Sequence, residues 1–174
     1  MPKLTIKIID LGTSYTNPET GRVSPSLTGH IWWELTDDNG NVTSYGFSPK
    51  DGYEGMPLAP GSVKYNDNLT YDFNPAKGDY QREFYITKNQ LEQLKEFGNN
   101  PFDKEKFNFS SKYNGISNSC IDFTYKALEI IGFVPKGYDG DIWPTLNIDN
   151  IRALPSSNKN DTKIFIGKEG GLFF

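Results

Sequence analysis

The stretch from residue 29 to residue 48 constrains the fold most. Gly29-His30-Ile31-Trp32-Trp33-Glu34-Leu35 and Val42-Thr43-Ser44-Tyr45-Gly46-Phe47-Ser48 are aromatic and β-branched runs on either side of Asp37-Asp38-Asn39-Gly40-Asn41. Asn-Gly accepts the positive φ that a tight turn needs, so the runs predict an antiparallel hairpin pivoting at residues 39–40. Pro49 ends the second strand. The pivot sets residue 30 opposite residue 48 or 49, and period two puts His30, Trp32 and Glu34 on one face. The acidic turn invites a calcium-loop reading. Counted from Asp37, however, Ser48 stands where an EF-hand requires its bidentate Glu, which rejects it.

The other elements follow from periodicity and punctuation. Residues 3–9 alternate, with Leu4, Ile6 and Ile8 on one face of a strand. Residues 11–28 read as a loop, and residues 50–80, rich in Gly, Pro and Asn, as a long excursion that could lie over a substrate groove. Residues 81–87 predict a strand ending in Thr87-Lys88-Asn89-Gln90, a capping-box pattern. Leu91, Leu94 and Phe97 then mark a short amphipathic helix closed by Gly98. Residues 107–113 read as extended. Ser117, Asn118 or Ser119 caps a helix over 119–131, whose Phe123, Ala127, Leu128 and Ile131 keep a helical period up to Gly132. A turn near 148–154 and a strand over 162–166 complete the chain. The expectation is an α+β fold, one domain over residues 1–174, with an antiparallel sheet packed on the helix that begins at Cys120.

Composition removes several function classes. The 18 Lys and Arg are scattered and outnumbered by 22 Asp and Glu, giving a net charge of −4. That is no footprint for nucleic acid or an anionic membrane. A single Cys excludes an intramolecular disulfide and a Cys-rich zinc site, and a single His argues against a His-based one. No metal or other cofactor is expected. The first ten residues do not read as a signal peptide, and no run approaches the roughly 20 apolar residues that span a bilayer. The expectation is a chain made in the cytoplasm without a membrane anchor, which would leave the cell by another route if it acts outside. The 3 Trp, 10 Tyr and 12 Phe suit a β-rich fold, and Trp32, Trp33 and Phe47 are candidates to line a substrate groove.

The lone His30 and lone Cys120 each occupy a setting that thiol catalysis uses. A thiol attacks as thiolate, and a helix N-terminus together with a nearby imidazolium favours that form. Cys120 at a helix start is the candidate nucleophile and His30 on a strand its base. Backbone N–H groups at the helix start, with Asn118 and Ser119 beside them, are candidates for oxyanion binding or positioning. A third group must orient the imidazole. Hairpin register makes Ser48 the nearest polar candidate, with Ser44 a weaker one and a backbone carbonyl as the alternative. Glu34 lies two residue pairs from that position, roughly 13 Å by strand rise, and is discounted. Asp122 reads as a first-turn acid with a structural role.

Three segments in order carry a family resemblance: Thr28-Gly29-His30-Ile31-Trp32-Trp33, Tyr45-Gly46-Phe47-Ser48-Pro49 and Asn118-Ser119-Cys120-Ile121-Asp122-Phe123. With His before Cys, they resemble the circularly permuted branch of the papain-like NlpC/P60 cysteine hydrolases, over residues 25–135. The resemblance implies a Cys–His amidase or peptidase, commonly acting on peptidoglycan. Lipid-acting relatives often carry a second His on the following strand and a membrane anchor. This chain has no second His, and no anchor is expected, which favours an amide substrate. A small chain of this kind is similar to type VI secretion effectors, toxins that act in a rival cell's periplasm and come with a cognate immunity protein. The alternatives are a lipid-directed thiol hydrolase or acyltransferase on the same fold, and a non-enzymatic β-rich binding module.

Overall fold

A computed structural model of the chain describes residues 1–155 and two short tail strands, Phe165–Ile166 and Leu172–Phe173. The architecture is α+β. Strands β1 (Lys3–Ile9), β4 (His30–Thr36), β5 (Val42–Pro49), β6 (Leu58–Lys64), β7 (Tyr80–Tyr85) and β8 (Lys112–Asn114) form one sheet in the order β7-β1-β4-β5-β6-β8. Every neighbouring pair is antiparallel. The small hairpin of β2 (Ser14–Thr16) and β3 (Val23–Pro25) stands within the expected 11–28 loop. Helices α1 (Asp67–Thr70), α2 (Lys88–Asn99), α3 (Cys120–Ile130) and α4 (Ile148–Ala153) complete the body, and the tail strands pair with each other. Of the strand expected over 162–166, residues 162–164 lie outside the described residues. Among the described residues, no helix is long and apolar enough to cross a membrane.

The central hairpin forms with the expected pivot. Trp33 faces Tyr45 and Thr36 faces Val42, and the Asp37 side chain closes the turn by accepting from the Asn39 and Asn41 amides. The pairing then stops. Beyond Tyr45 the strand pairs with β6 instead, Gly46 with Lys64 and Ser48 with Ser62. Strands β4 and β5 therefore part just before His30. Strand β6 was hidden in the expected excursion because Pro60 and Gly61 read as breakers. Gly61 is required by close packing: a Cβ there would lie 2.3 Å from the Phe47 ring.

One face of the sheet carries the main core. Leu4, Ile6, Ile8, Ile31, Trp33, Leu35, Tyr45 and Phe47 pack against Leu91, Leu94 and Phe97 of α2 and Phe123, Ala127 and Leu128 of α3. Phe123 is the hub, with ring centroids 5.0 Å from Phe97, 5.4 Å from Phe109, 5.7 Å from Trp33 and 5.8 Å from Phe47. Fully burying such a ring contributes about 1.5–3 kcal/mol. It also fixes α3 against the sheet one turn below Cys120. Trp33 and Phe47 are wholly buried in this layer and line no open groove, which corrects the expectation for them. Large aromatic rings on the inner face are more valuable as core than as surface.

The opposite face is charged and aromatic, yet also covered. His30, Trp32 and Glu34 share it as period two predicts, and all three are buried. The chain after α1 lies over them. It is tied to the β2–β3 hairpin by the Asp72 amide donating to the Ser14 carbonyl at 2.9 Å and by the Tyr15 and Tyr71 rings, 5.2 Å apart. Trp32 is wholly buried beneath this cover, so it too is packed rather than presented to a groove.

Candidate active site

Helix α3 begins where Ser119 leaves the extended region. The Ser119 side chain accepts from the Ile121 amide at 3.2 Å, and the Asp122 carboxylate accepts from the Ser119 amide at 2.7 Å, a reciprocal capping box. The hydroxyl of Ser119 also donates to Asp122 at 2.9 Å. Asp122 thus has the structural role read from the sequence, and burial raises its pKa against the opposing bonds from Ser119. Asn118 is not the cap. Its amide donates to the carbonyls of Ser110 at 2.9 Å and Lys112 at 2.7 Å, pinning the segment that leads into β8. Asn118 and Ser119 are positioning residues whose polar atoms are spent on this framework, and neither is free to serve an oxyanion.

His30 meets a residue the sequence did not single out. Its Nε2 lies 2.8 Å from Oδ2 of Asp67, the first residue of α1, and both side chains are buried. Gly46 makes the contact possible. A Cβ at that position would stand 1.7 Å from Asp67 Oδ2 and 3.1 Å from His30 Nε2. The strand after the hairpin therefore omits a side chain where the carboxylate reaches the imidazole. Ser48, the expected third member, is elsewhere: it pairs with Ser62, and its hydroxyl lies 3.5 Å from the Pro49 carbonyl. The register was right over the paired residues, but the parting of β4 and β5 removes Ser48 from His30. An isolated Gly inside a strand pattern marks a close approach, and Gly46 was the available signal. Nothing in the local pattern of Asn66-Asp67-Asn68-Leu69 says what that approach brings.

Electrostatics joins the three groups. Burial pushes the His30 pKa down, but Asp67 and then Cys120, each through charge and hydrogen bonding, raise it to about 10. The carboxylate on Nε2, with Cys120 adding to it, therefore favours the imidazolium form. Tyr71 and Tyr113 stand close enough to feel the sulfur. Burial raises both phenols, with Asp67 and Cys120 adding to Tyr71, and Cys120 and Asp122 adding to Tyr113, so both rings stay neutral. Cys120 is 6% exposed and His30 5% exposed, so little of either residue meets solvent. A thiol at a helix start, an imidazolium and an orienting carboxylate are the parts of nucleophilic acyl transfer.

No group of three or more His, Cys, Asp or Glu among the described residues is placed to hold a metal ion. Comparison with known proteins gave no match to a family model, to a curated protein or to a solved structure.

Proposed function

We propose that this protein is a cysteine hydrolase of amide bonds that uses Cys120 as nucleophile, His30 as acid and base, and Asp67 to orient the imidazole. The observation that carries the reading is the 2.8 Å contact of Asp67 with His30 Nε2, which leaves Nδ1 as the ring nitrogen available to the thiol. The order His before Cys fits a permuted papain-like arrangement of the NlpC/P60 kind. Cys120 passes its thiol proton to His30 Nδ1 and its Sγ attacks the carbonyl carbon as thiolate, and the resulting imidazolium gives that proton to the leaving amine as the C–N bond breaks. The neutral imidazole then takes a proton from water, whose oxygen attacks the thioester carbon and releases the acid and the thiolate. The Ser119 and Ile121 amides are committed to the capping box. The donor assigned to the oxyanion is therefore the Cys120 N–H. With so little of Cys120 exposed, the cover must yield to admit a peptide.

The substrate class we assign is peptidoglycan peptide, in an antibacterial effector delivered to a rival's periplasm and held in check by a cognate immunity protein. Purified sacculi incubated with wild type should release new muropeptides, and the Cys120→Ala protein should release none. Identical profiles from the two proteins would sink the amidase reading. Cys120-dependent fatty-acid release from phospholipid vesicles would turn it into the lipid-directed alternative. Full toxicity of Cys120→Ala and His30→Ala would leave a binding module.

A further inference from the structure

The imidazole of His30 is covered by an aromatic ring as well as held at its nitrogen. The Tyr71 ring stacks on it with centroids 5.0 Å apart and planes at 27°. The Trp32 ring stacks with centroids 5.8 Å apart and planes at 20°. Trp32 and Tyr71 stack on each other at 5.5 Å and 21°, so the three centroids form a near-equilateral triangle, with Trp32 beside the imidazole on the strand and Tyr71 over both. An aromatic face within about 6 Å attracts a cation through its quadrupole, more strongly where water is excluded. Neither ring adds a charge.

Trp32 is itself held by the same face of the sheet. Its indole N–H donates to Glu34 Oε1 at 2.9 Å, and Lys7 Nζ lies 3.0 Å from the same oxygen. The Lys7 ammonium sits over the Phe73 ring at 5.0 Å and near the Trp32 ring at 6.0 Å. Glu34 is too far along the strand to touch His30 and acts one ring removed. The pair it makes with Lys7 keeps a buried carboxylate compensated. The charged and titratable groups around the imidazole are Asp67 from α1, Cys120 from α3 and the Tyr71 phenol. Lys7 and Glu34 stand behind Trp32.

The geometry points to Tyr71 as a positioning residue whose ring covers the His30 imidazole and shields its contact with Asp67 from water. This cover deepens the proposed hydrolase reading and rests on it for its catalytic meaning, but it is measurable without any substrate. It leaves the wholly buried Trp32 packed beside the imidazole under the same ring. It also assigns the cover a second task, because the segment that supplies Asp67 supplies Tyr71 four residues later.

One histidine in the chain makes the test direct, since the imidazole gives a single set of NMR signals. In protein carrying labelled histidine, the carbon-bound ring protons of His30 should be shifted upfield by the Tyr71 ring that covers them. The imidazole should also titrate at high pH, in line with its pKa of about 10. Tyr71→Phe keeps the ring and should keep the proton affinity within about twofold. Tyr71→Leu removes the ring from a half-buried site and should lower that affinity about tenfold. An unchanged titration in folded Tyr71→Leu overturns the role of Tyr71. Should that variant fail to fold, the wild-type spectrum decides, because ring protons at their ordinary positions overturn it equally. Muropeptide release tests the hydrolase reading separately, so either idea can fail while the other stands.

Discussion

The two faces of strand β4 are both buried and built on opposite principles. On the inner face, Ile31, Trp33 and Leu35 of β4 meet the apolar sides of α2 and α3. On the outer face, His30, Trp32 and Glu34 of the same strand meet a carboxylate, the Tyr71 and Phe73 rings and an ammonium. Apolar burial is non-directional and tolerates substitution of like volume. Buried polar groups are tolerable only when each is paired in good geometry. One strand with period two thus separates stability from chemistry. Cys120 links the two, being a member of the inner core that still acts on the His30 ring.

The comparison can be broken most severely on the polar side. Asp67→Asn should lower kcat/KM by about 10³-fold or more while leaving the inner core intact. The alkaline limb of its pH–rate profile should fall below the wild-type limb near 10, because the carboxylate that raises the imidazole is gone. A rate within threefold of wild type would remove Asp67 from the site.

On the apolar side, Phe123→Ala should cost about 3–5 kcal/mol in urea unfolding, from the lost ring and the cavity left among Trp33, Phe47, Phe97 and Phe109. Its His30 signals should still report imidazolium in whatever fraction remains folded. Gly46→Ala tests the junction of the faces. The added Cβ must displace Asp67, so it should cost about 1–3 kcal/mol and lower the imidazole pKa together. A gain in stability with an unmoved imidazole would contradict the close approach.

The pH dependence of stability has a definite sign. His30 is raised from 6.5 to about 10, so the folded state binds its proton more tightly than the unfolded chain does. Its contribution is fully present below about pH 6.5 and is lost as pH rises through 10. Urea midpoints should therefore decline between those values in wild type. The decline should shrink in His30→Gln. The smallest effect is expected at Ser48, where Ser48→Ala should change stability by less than about 0.5 kcal/mol and leave the rate within about twofold.

Much of the framework was legible from local signals. Alternation gave β1, β4 and β5, Asn-Gly gave the pivot, and Thr87 with Gln90 gave the start of α2. The start of α3 was legible for the same reason, although the capping residue proved to be Ser119 rather than Asn118. Strand β6 was not, because Pro60 and Gly61 look like breakers until Phe47 is seen to need the space.

The same division runs through the site. The sequence alone placed a unique thiol at a helix start and a unique imidazole on a hairpin strand, since capping and alternation are rules of neighbours in the chain. Only the tertiary structure decided that Asp67, 37 residues beyond His30, completes the pair and that Ser48 does not. It also decided that Trp32, Trp33 and Phe47 are packed inside. Those outcomes depend on where β4 and β5 part and on the carboxylate that the missing Gly46 side chain admits. Both are set by contacts between distant segments, which periodicity along one chain does not encode.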